Sequence, residues 1–315
     1  MKAIKVSKFG GPEVMEYVDV PDPIPGENEE LIEVTSIGVN YADTHQIENA
    51  YLSEQALPLF PGLEVVGRTK DGRRVLASVI AGAYAQKALA NKAYVIDVPD
   101  GVSDEQALAT FVQGATAWHI LKTMGHLKTG ESVVIHAAAG GVGCLAIQLA
   151  KMWGAHVIAV SSAGKKDLVM SLGADAWVDA ASENLKVDLR AANNGALIDI
   201  VLEMVGGKTF DDSLAVLAPF GRLVTFGTAS RKAATPIAPG SLVGGTKTVS
   251  GFWLAHCFNS KELLNDVIVE LFALIQSGAL KPVIGPVFAL SKADDAHRAI
   301  VARQTTGKVT LNPAL

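Results

Sequence analysis

The stretch Ser132–Ala150, SVVIHAAAGGVGCLAIQLA, decides the fold of this chain. It opens on the apolar strand SVVIHAAA (132–139) and closes in an amphipathic helix at 141–153, with AAAGGVG (137–143) joining them. A strand, a glycine-rich turn and a helix in that order form the arrangement that binds dinucleotides. The three glycine places of that fingerprint fall on Ala138, Gly140 and Gly143, so the first is alanine. Gly140 lets the backbone approach a pyrophosphate, and Gly143 lets helix and strand pack closely. Gly141 and Val142 begin the helix, whose N-terminal N–H groups and dipole favour an anion. The stretch is uncharged, but His136, Gln148 and three glycines within it argue against a membrane span.

Outward from this unit the texture is strand and helix in alternation. A helix at 114–124 precedes it. Strands at 156–160, 176–178, 198–203 and 222–227 follow, interleaved with helices at 165–172, 183–193 and 209–218. Apolar strands alternating with helices mean a doubly wound parallel sheet covered on both faces, an α/β fold. KTVSGFWL (247–254) adds a strand. A helix from Lys261 to Gln276 then carries Leu263, Leu264, Val267, Ile268, Leu271, Phe272 and Ile275 at helical spacing, a core-packing stripe. The first third is different: LIEVTSIGVN (31–40) and RRVLASVI (73–80) read as strands around the proline-rich loop 19–30, a β-rich unit. The tail KVTLNPAL is expected to return to that unit as a strand. The expected domains are therefore 1–112, a dinucleotide-binding domain at 113–254, and a returning segment at 255–315; 315 residues suit two domains.

Composition excludes several classes. Hydrophobic residues make up 49% and charged residues 19%, far from a disordered chain. The net charge is −5 with no basic block to track a phosphate backbone, so nucleic acid is not an expected partner. Cys144 and Cys257 are the only cysteines, which excludes a disulfide framework and a cysteine-built zinc site and suits a reducing cytoplasm. The N-terminus carries lysines at 2, 5 and 8 and no apolar core, so no export signal is read.

The end of the second strand of the nucleotide unit selects the cofactor. An NAD site places an acid there for the ribose hydroxyls. This chain reads VSSAGKK (160–166), with Ser161 and Ser162 ahead of Lys165 and Lys166, which suits the 2′-phosphate of NADPH. A solvated face is the bland reading of Lys165.

Together GVNYAD (38–43), PGLEVVG (61–67), GAYAQ (82–86), GATAW (114–118), AAAGGVG, LGAD (172–175), EMVGG (203–207), GRLVTFG (221–227) and GKVTLNP (307–313) resemble the medium-chain dehydrogenase/reductase superfamily. Within it, the chain is most similar to the zinc-free quinone oxidoreductase branch, which is zeta-crystallin-like. The resemblance implies a Rossmann domain set into a discontinuous GroES-like catalytic domain, with a substrate cleft where the two meet. Relatives that hold catalytic zinc use positions matching Asn40, Leu63 and Val112 here, leaving Glu64 alone of the metal neighbourhood. No metal site is expected.

Without a Lewis acid, charge must be delocalised by the substrate itself, as in quinones and α,β-unsaturated carbonyls such as enals. NADPH would carry the hydride, and the protein would supply orientation and electrostatics. By resemblance, Tyr51 is the candidate proton donor or else a packed loop tyrosine. Asn40 is placed near the nicotinamide ribose, or serves turn chemistry at a strand end. Tyr41 and Asp43 follow it, while His45 reads as an exposed loop histidine. Thr116 is expected at the nicotinamide or its ribose, Val205 and Gly206 where the cofactor crosses the sheet edge, and Gly227, Thr228, Phe252 and Trp253 around the nicotinamide. A direct role for Glu203 stays open. Trp253 equally suits dimer core, because KTVSGFWL resembles the segment that joins subunits in relatives. The expected partners are a quinone or enal and a second copy of the chain. An enoyl thioester reductase and a non-catalytic NADPH-binding sensor or structural protein are the alternatives; the first 68 residues lack the basic cluster that a coenzyme A thioester would favour.

Overall fold

The computed structural model describes residues 1–79, 82–258 and 260–315. The chain divides into two compact units, Met1–Gln113 with Cys257–Leu315, and Gly114–His256.

In the first unit β1 (Lys2–Val6) and β2 (Met15–Asp19) form an antiparallel pair. A larger sheet contains β3 (Glu29–Val39), β4 (Glu64–Thr69), β5 (Arg74–Ser78), β6 (Lys87–Asn91) and β7 (Val95–Asp97). Ile32, Val34 and Ser36 of β3 are buried between exposed Glu33 and Thr35, the alternation of a strand with one wet face; from Ile37 to Val39 every residue is buried. Helix α1 (Tyr41–Ile47) begins directly after β3, and α2 (Asp104–Ala109) starts at a capping box in which Ser103 and Gln106 satisfy each other's backbone N–H.

The second unit starts with α3 (Ala115–Lys122), β8 (Ser132–Ile135), α4 (Gly141–Met152), β9 (His156–Ser161), α5 (Lys166–Ser171), β10 (Ala176–Asp179) and α6 (Leu185–Ala192). It continues with β11 (Ile198–Glu203), α7 (Gly207–Ala215), β12 (Leu217–Thr225), α8 (Pro239–Gly245) and β13 (Thr248–Gly251). Strand order is β10-β9-β8-β11-β12-β13, and every pairing is parallel. The order reverses between β8 and β11, as in a Rossmann fold, so the strands' carboxyl ends share one edge where ligands bind. Val134, Ile158, Val160, Val201 and Leu223 from the sheet pack with Leu185, Leu189 and Phe210 from the helices.

The chain then returns to the first unit through α9 (Asn265–Gln276), β14 (Ile284–Ala289), α10 (Ala293–Val301) and β15 (Lys308–Asn312). β15 lies between β14 and β3, with Val309 opposite Val39 and Leu311 opposite Ile37.

Several elements are shorter than the sequence pattern suggests. The strand expected at 132–139 ends at Ile135, because Ala137 takes a left-handed φ of 50° and turns the chain into α4. KTVSGFWL is paired only over Thr248–Gly251 before Leu254–Cys257 tightens into a 3₁₀ turn. The helix expected from Lys261 starts at Asn265, leaving Leu263 outside it and 39% exposed. β5 covers Arg74–Ser78, and Ile80 of the expected strand lies outside the described residues. Among the described residues, no helix is long and apolar enough to cross a membrane.

Candidate active site

The parallel sheet gathers the expected cofactor residues on one edge. Gly140, Gly141 and Val142 follow β8, Ser161 ends β9 with Ser162 directly after it, and Val205 follows β11. Gly227 and Thr228 follow β12, and Phe252 and Trp253 follow β13. A Cβ on Gly143 would lie 2.6 Å from both the Ala137 carbonyl oxygen and Ala138 Cα, so helix and loop touch backbone to backbone. Ala138 N–H donates to the Val160 carbonyl at 3.0 Å, tying the loop to β9.

At the end of β9, buried Ser161 Oγ accepts from Trp177 Nε1 at 3.0 Å. Lys166, first residue of α5, is exposed and holds its ammonium 5.1 Å from the centre of the Trp177 ring. Glu203, fully buried at the end of β11, accepts from the N–H groups of Val205 (2.7 Å) and Gly206 (2.9 Å) and so shapes the turn in which Gly206 adopts a φ of 83°. Burial raises its carboxyl pKa against those two bonds. The open question about Glu203 thus receives a definite structural role. Thr116 is buried on α3, one turn from His119, whose ring stacks on Phe252 at 5.4 Å. His136 at the end of β8 meets Ser213 Oγ at 2.8 Å, and burial lowers its pKa to about 4.

The first unit holds a dry polar network of its own. Lys308 and Glu64, both fully buried, form an ion pair. Asn40 lies against both: its Nδ2 donates to Glu64 Oε1 at 2.7 Å, and its Oδ1 accepts from Lys308 Nζ at 3.1 Å and Gln113 Nε2 at 3.2 Å. The Val112 N–H donates to Glu64 Oε2 at 3.1 Å. Glu64, the one residue kept from the metal neighbourhood of zinc-holding relatives, faces a lysine ammonium from β15. The Asn40 N–H donates to Asp43 Oδ2 at 2.8 Å, and the two residues form the capping box that opens α1.

Asp43 Oδ2 also accepts from the Tyr84 hydroxyl at 2.9 Å, and the Tyr84 hydroxyl oxygen lies 2.9 Å from His297 Nε2. Burial pushes the Asp43 carboxyl up to about 7, against its hydrogen bonds and the nearby ammonium of Lys308. Burial likewise lowers His297 to about 3 and raises Tyr84 well above its ordinary value. Tyr41 opens α1, with its ring 5.5 Å from that of His45. His45 is a half-buried helical residue, a correction to its reading as an exposed loop histidine; the turn that starts at Asn40 becomes a helix instead. Tyr51 lies half-buried on the loop between α1 and β4. Sequence reasoning missed Lys308, Gln113, Tyr84, His297 and Trp177. Lys308 did leave a signal, a lone lysine inside the returning strand. Among the described residues, no group of three or more histidine, cysteine, aspartate or glutamate side chains could hold a metal ion.

Comparison with known proteins agrees with this architecture. A family model described as zinc-binding dehydrogenase matches residues 141–271, a span that includes none of positions 40, 63, 64 and 112. A quinone oxidoreductase of Pseudomonas aeruginosa is 35% identical over 325 residues, covering 99% of each chain. The crystal structure of Escherichia coli quinone oxidoreductase complexed with NADPH superposes with a TM-score of 0.93 at 31% identity, over 99% of this chain and 100% of that one. The quinone oxidoreductase of Thermus thermophilus, solved alone and with NADPH, gives 0.88 at 36% identity over the same shares. The fold and its nucleotide edge are those of the medium-chain dehydrogenase/reductase superfamily. Within it, the chain belongs to the zinc-free quinone oxidoreductase branch.

Proposed function

We propose that this protein is an NADPH-dependent reductase that passes hydride to a quinone or an α,β-unsaturated carbonyl without a metal ion. The observation that carries this reading is the end of β9, where buried Ser161, exposed Ser162 and the Lys166 ammonium occupy the place of an acid. Such a set is complementary to a 2′-phosphate. The backbone contact at Gly143 keeps the α4 N-terminus close to β8, a cradle that fits the pyrophosphate. NADPH supplies a hydride when bound.

The chain's own groups do the rest. Gly140, Gly141 and Val142 receive the pyrophosphate, and Ser161, Ser162 and Lys166 bind the 2′-phosphate. Val205 and Gly206 take the crossing at the sheet edge, while Thr116, Gly227, Thr228, Phe252 and Trp253 orient the nicotinamide. Asn40 hydrogen-bonds near its ribose with Tyr41 beside it. The Tyr51 hydroxyl delivers a proton to the reduced substrate. The second copy is proposed to pair along β13, the edge strand of the six-stranded sheet. Two buried cysteines, neither in a disulfide, support a cytoplasmic location.

The test follows NADPH oxidation by the purified protein with quinones, enals and enoyl thioesters, before and after exhaustive chelation. Turnover with quinones or enals that survives chelation is expected. Activity abolished by chelator and restored by zinc would overturn the metal-free reading, and turnover of enoyl thioesters alone would overturn the substrate class.

A further inference from the structure

Asn40 lies between two opposite charges that are paired with each other. A carboxylate can only accept hydrogen bonds and an ammonium can only donate them. Nδ2 must therefore face Glu64 and Oδ1 must face Lys308, as the structure shows; Gln113 Nε2 adds a second donor on Oδ1. Rotating the amide by half a turn would set N–H against ammonium and oxygen against carboxylate in a water-free site. Buried ion pairs are poor stabilisers, because desolvating both ions offsets their attraction. This pair supplies direction instead. Among the described residues, one Nδ2 proton is engaged by Glu64, and the other is the donor left for a ligand.

We infer that Lys308 is a positioning residue. Together with Glu64, its ammonium fixes the Asn40 amide so that it offers an N–H donor, and never an acceptor, to an oxygen of the bound cofactor or substrate. The inference rests on the proposed placement of Asn40 at the nicotinamide ribose. Lys308 itself touches neither cofactor nor substrate.

The experiment is a mutant cycle on the full-length protein. Lys308→Met alone strands a buried carboxylate and threatens the fold, so the informative variant is Lys308→Met/Glu64→Gln. The neutral amide introduced by the second substitution can donate or accept and so no longer dictates the orientation of Asn40. Asn40→Ala, this double variant and the triple combination are compared by kcat/KM for NADPH and by melting temperature. Asn40→Ala should cost about tenfold in kcat/KM. The double variant should lose most of the same factor while melting near the wild type, and the triple variant should be little worse than either, because the residues act through one amide.

Multiplying losses, or a double variant within twofold of wild type beside an impaired Asn40→Ala, would overturn the role of Lys308 alone. Wild-type turnover by Asn40→Ala would overturn the placement of Asn40 as well. Should no variant of the pair fold, wild-type protein labelled with ¹⁵N-asparagine decides. One Asn40 side-chain proton shifted downfield and protected from exchange is expected, and two rapidly exchanging protons would refute the fixed amide.

Discussion

Lys166→Ala tests the cofactor assignment where the structure supplies both sides of the balance. A hydrogen bond to a charged group contributes about 1.5–3 kcal/mol, which sets the gain when the ammonium meets a 2′-phosphate. The ammonium is not idle beforehand, since it rests 5.1 Å over the Trp177 ring. At an exposed site that contact is worth about 0.5–1 kcal/mol and is given up when the side chain turns to the phosphate. The difference, about 0.5–2.5 kcal/mol, predicts that the substitution weakens NADPH between roughly twofold and seventyfold. NADH lacks the phosphate and should bind the variant as it binds the wild type. Fluorescence titration of both cofactors measures this directly, at two ionic strengths, because an exposed ion pair weakens with salt and the penalty should shrink accordingly. Equal losses for NADPH and NADH, or a penalty insensitive to salt, would refute the assignment of Lys166.

Tyr51→Phe should lower turnover of an enal by about 10²–10⁴, the span of general acid catalysis, and turnover of a quinone by less, since a hydroquinone anion can leave and collect its proton from water; equal wild-type rates with both substrates would return Tyr51 to packing. Gly143→Ala puts a methyl group 2.6 Å from backbone atoms that cannot yield cheaply, so it should cost about 1–3 kcal/mol in chemical denaturation and weaken NADPH binding; unchanged stability would show that α4 and its loop can part. His136 titrates at about 4 in the fold, below its ordinary 6.5, so the unfolded chain takes up the proton first as pH falls. Its contribution is present above pH 6.5 and lost on descending toward 4, worth about 3 kcal/mol by the 1.36 kcal/mol per unit conversion. His136→Gln should flatten that part of the stability curve, and an unchanged acid slope would refute the cause; Asp43, with its pKa raised to about 7, acts in the opposite sense and is untouched by the substitution.

The nucleotide unit was legible because its information is local. Each strand and helix from Ser132 to Thr225 carries its own periodicity, and parallel pairing then brings Gly140, Ser161, Val205 and Gly227 to one edge without further instruction. Boundaries were less legible: a left-handed Ala137 or the 3₁₀ turn after Gly251 is set by packing and not by residue type. The polar network of the first unit was legible only in part: Asn40, Asp43 and Glu64 stand out locally, but which distant residues meet them does not. Glu64 and Lys308 are separated by 244 residues, and no composition or spacing rule marks two charges that will share a water-free site. Tyr84 and His297, 213 residues apart, escape for the same reason.

That separation also orders events during synthesis. At about 5–20 residues per second, the Glu64 carboxylate leaves the ribosome roughly 12–50 s ahead of its only ammonium partner among the described residues. Through that interval the edge of β3 that will receive β15 is open at Ile37–Val39, an unpaired apolar margin of the kind that recruits foreign strands. The nucleotide unit, continuous from Gly114 to His256, has all its residues before this happens. A nascent chain thus carries a finished dinucleotide-binding module beside an unfinished sheet, and the insertion of one five-residue strand closes the edge and neutralises the buried acid in the same step.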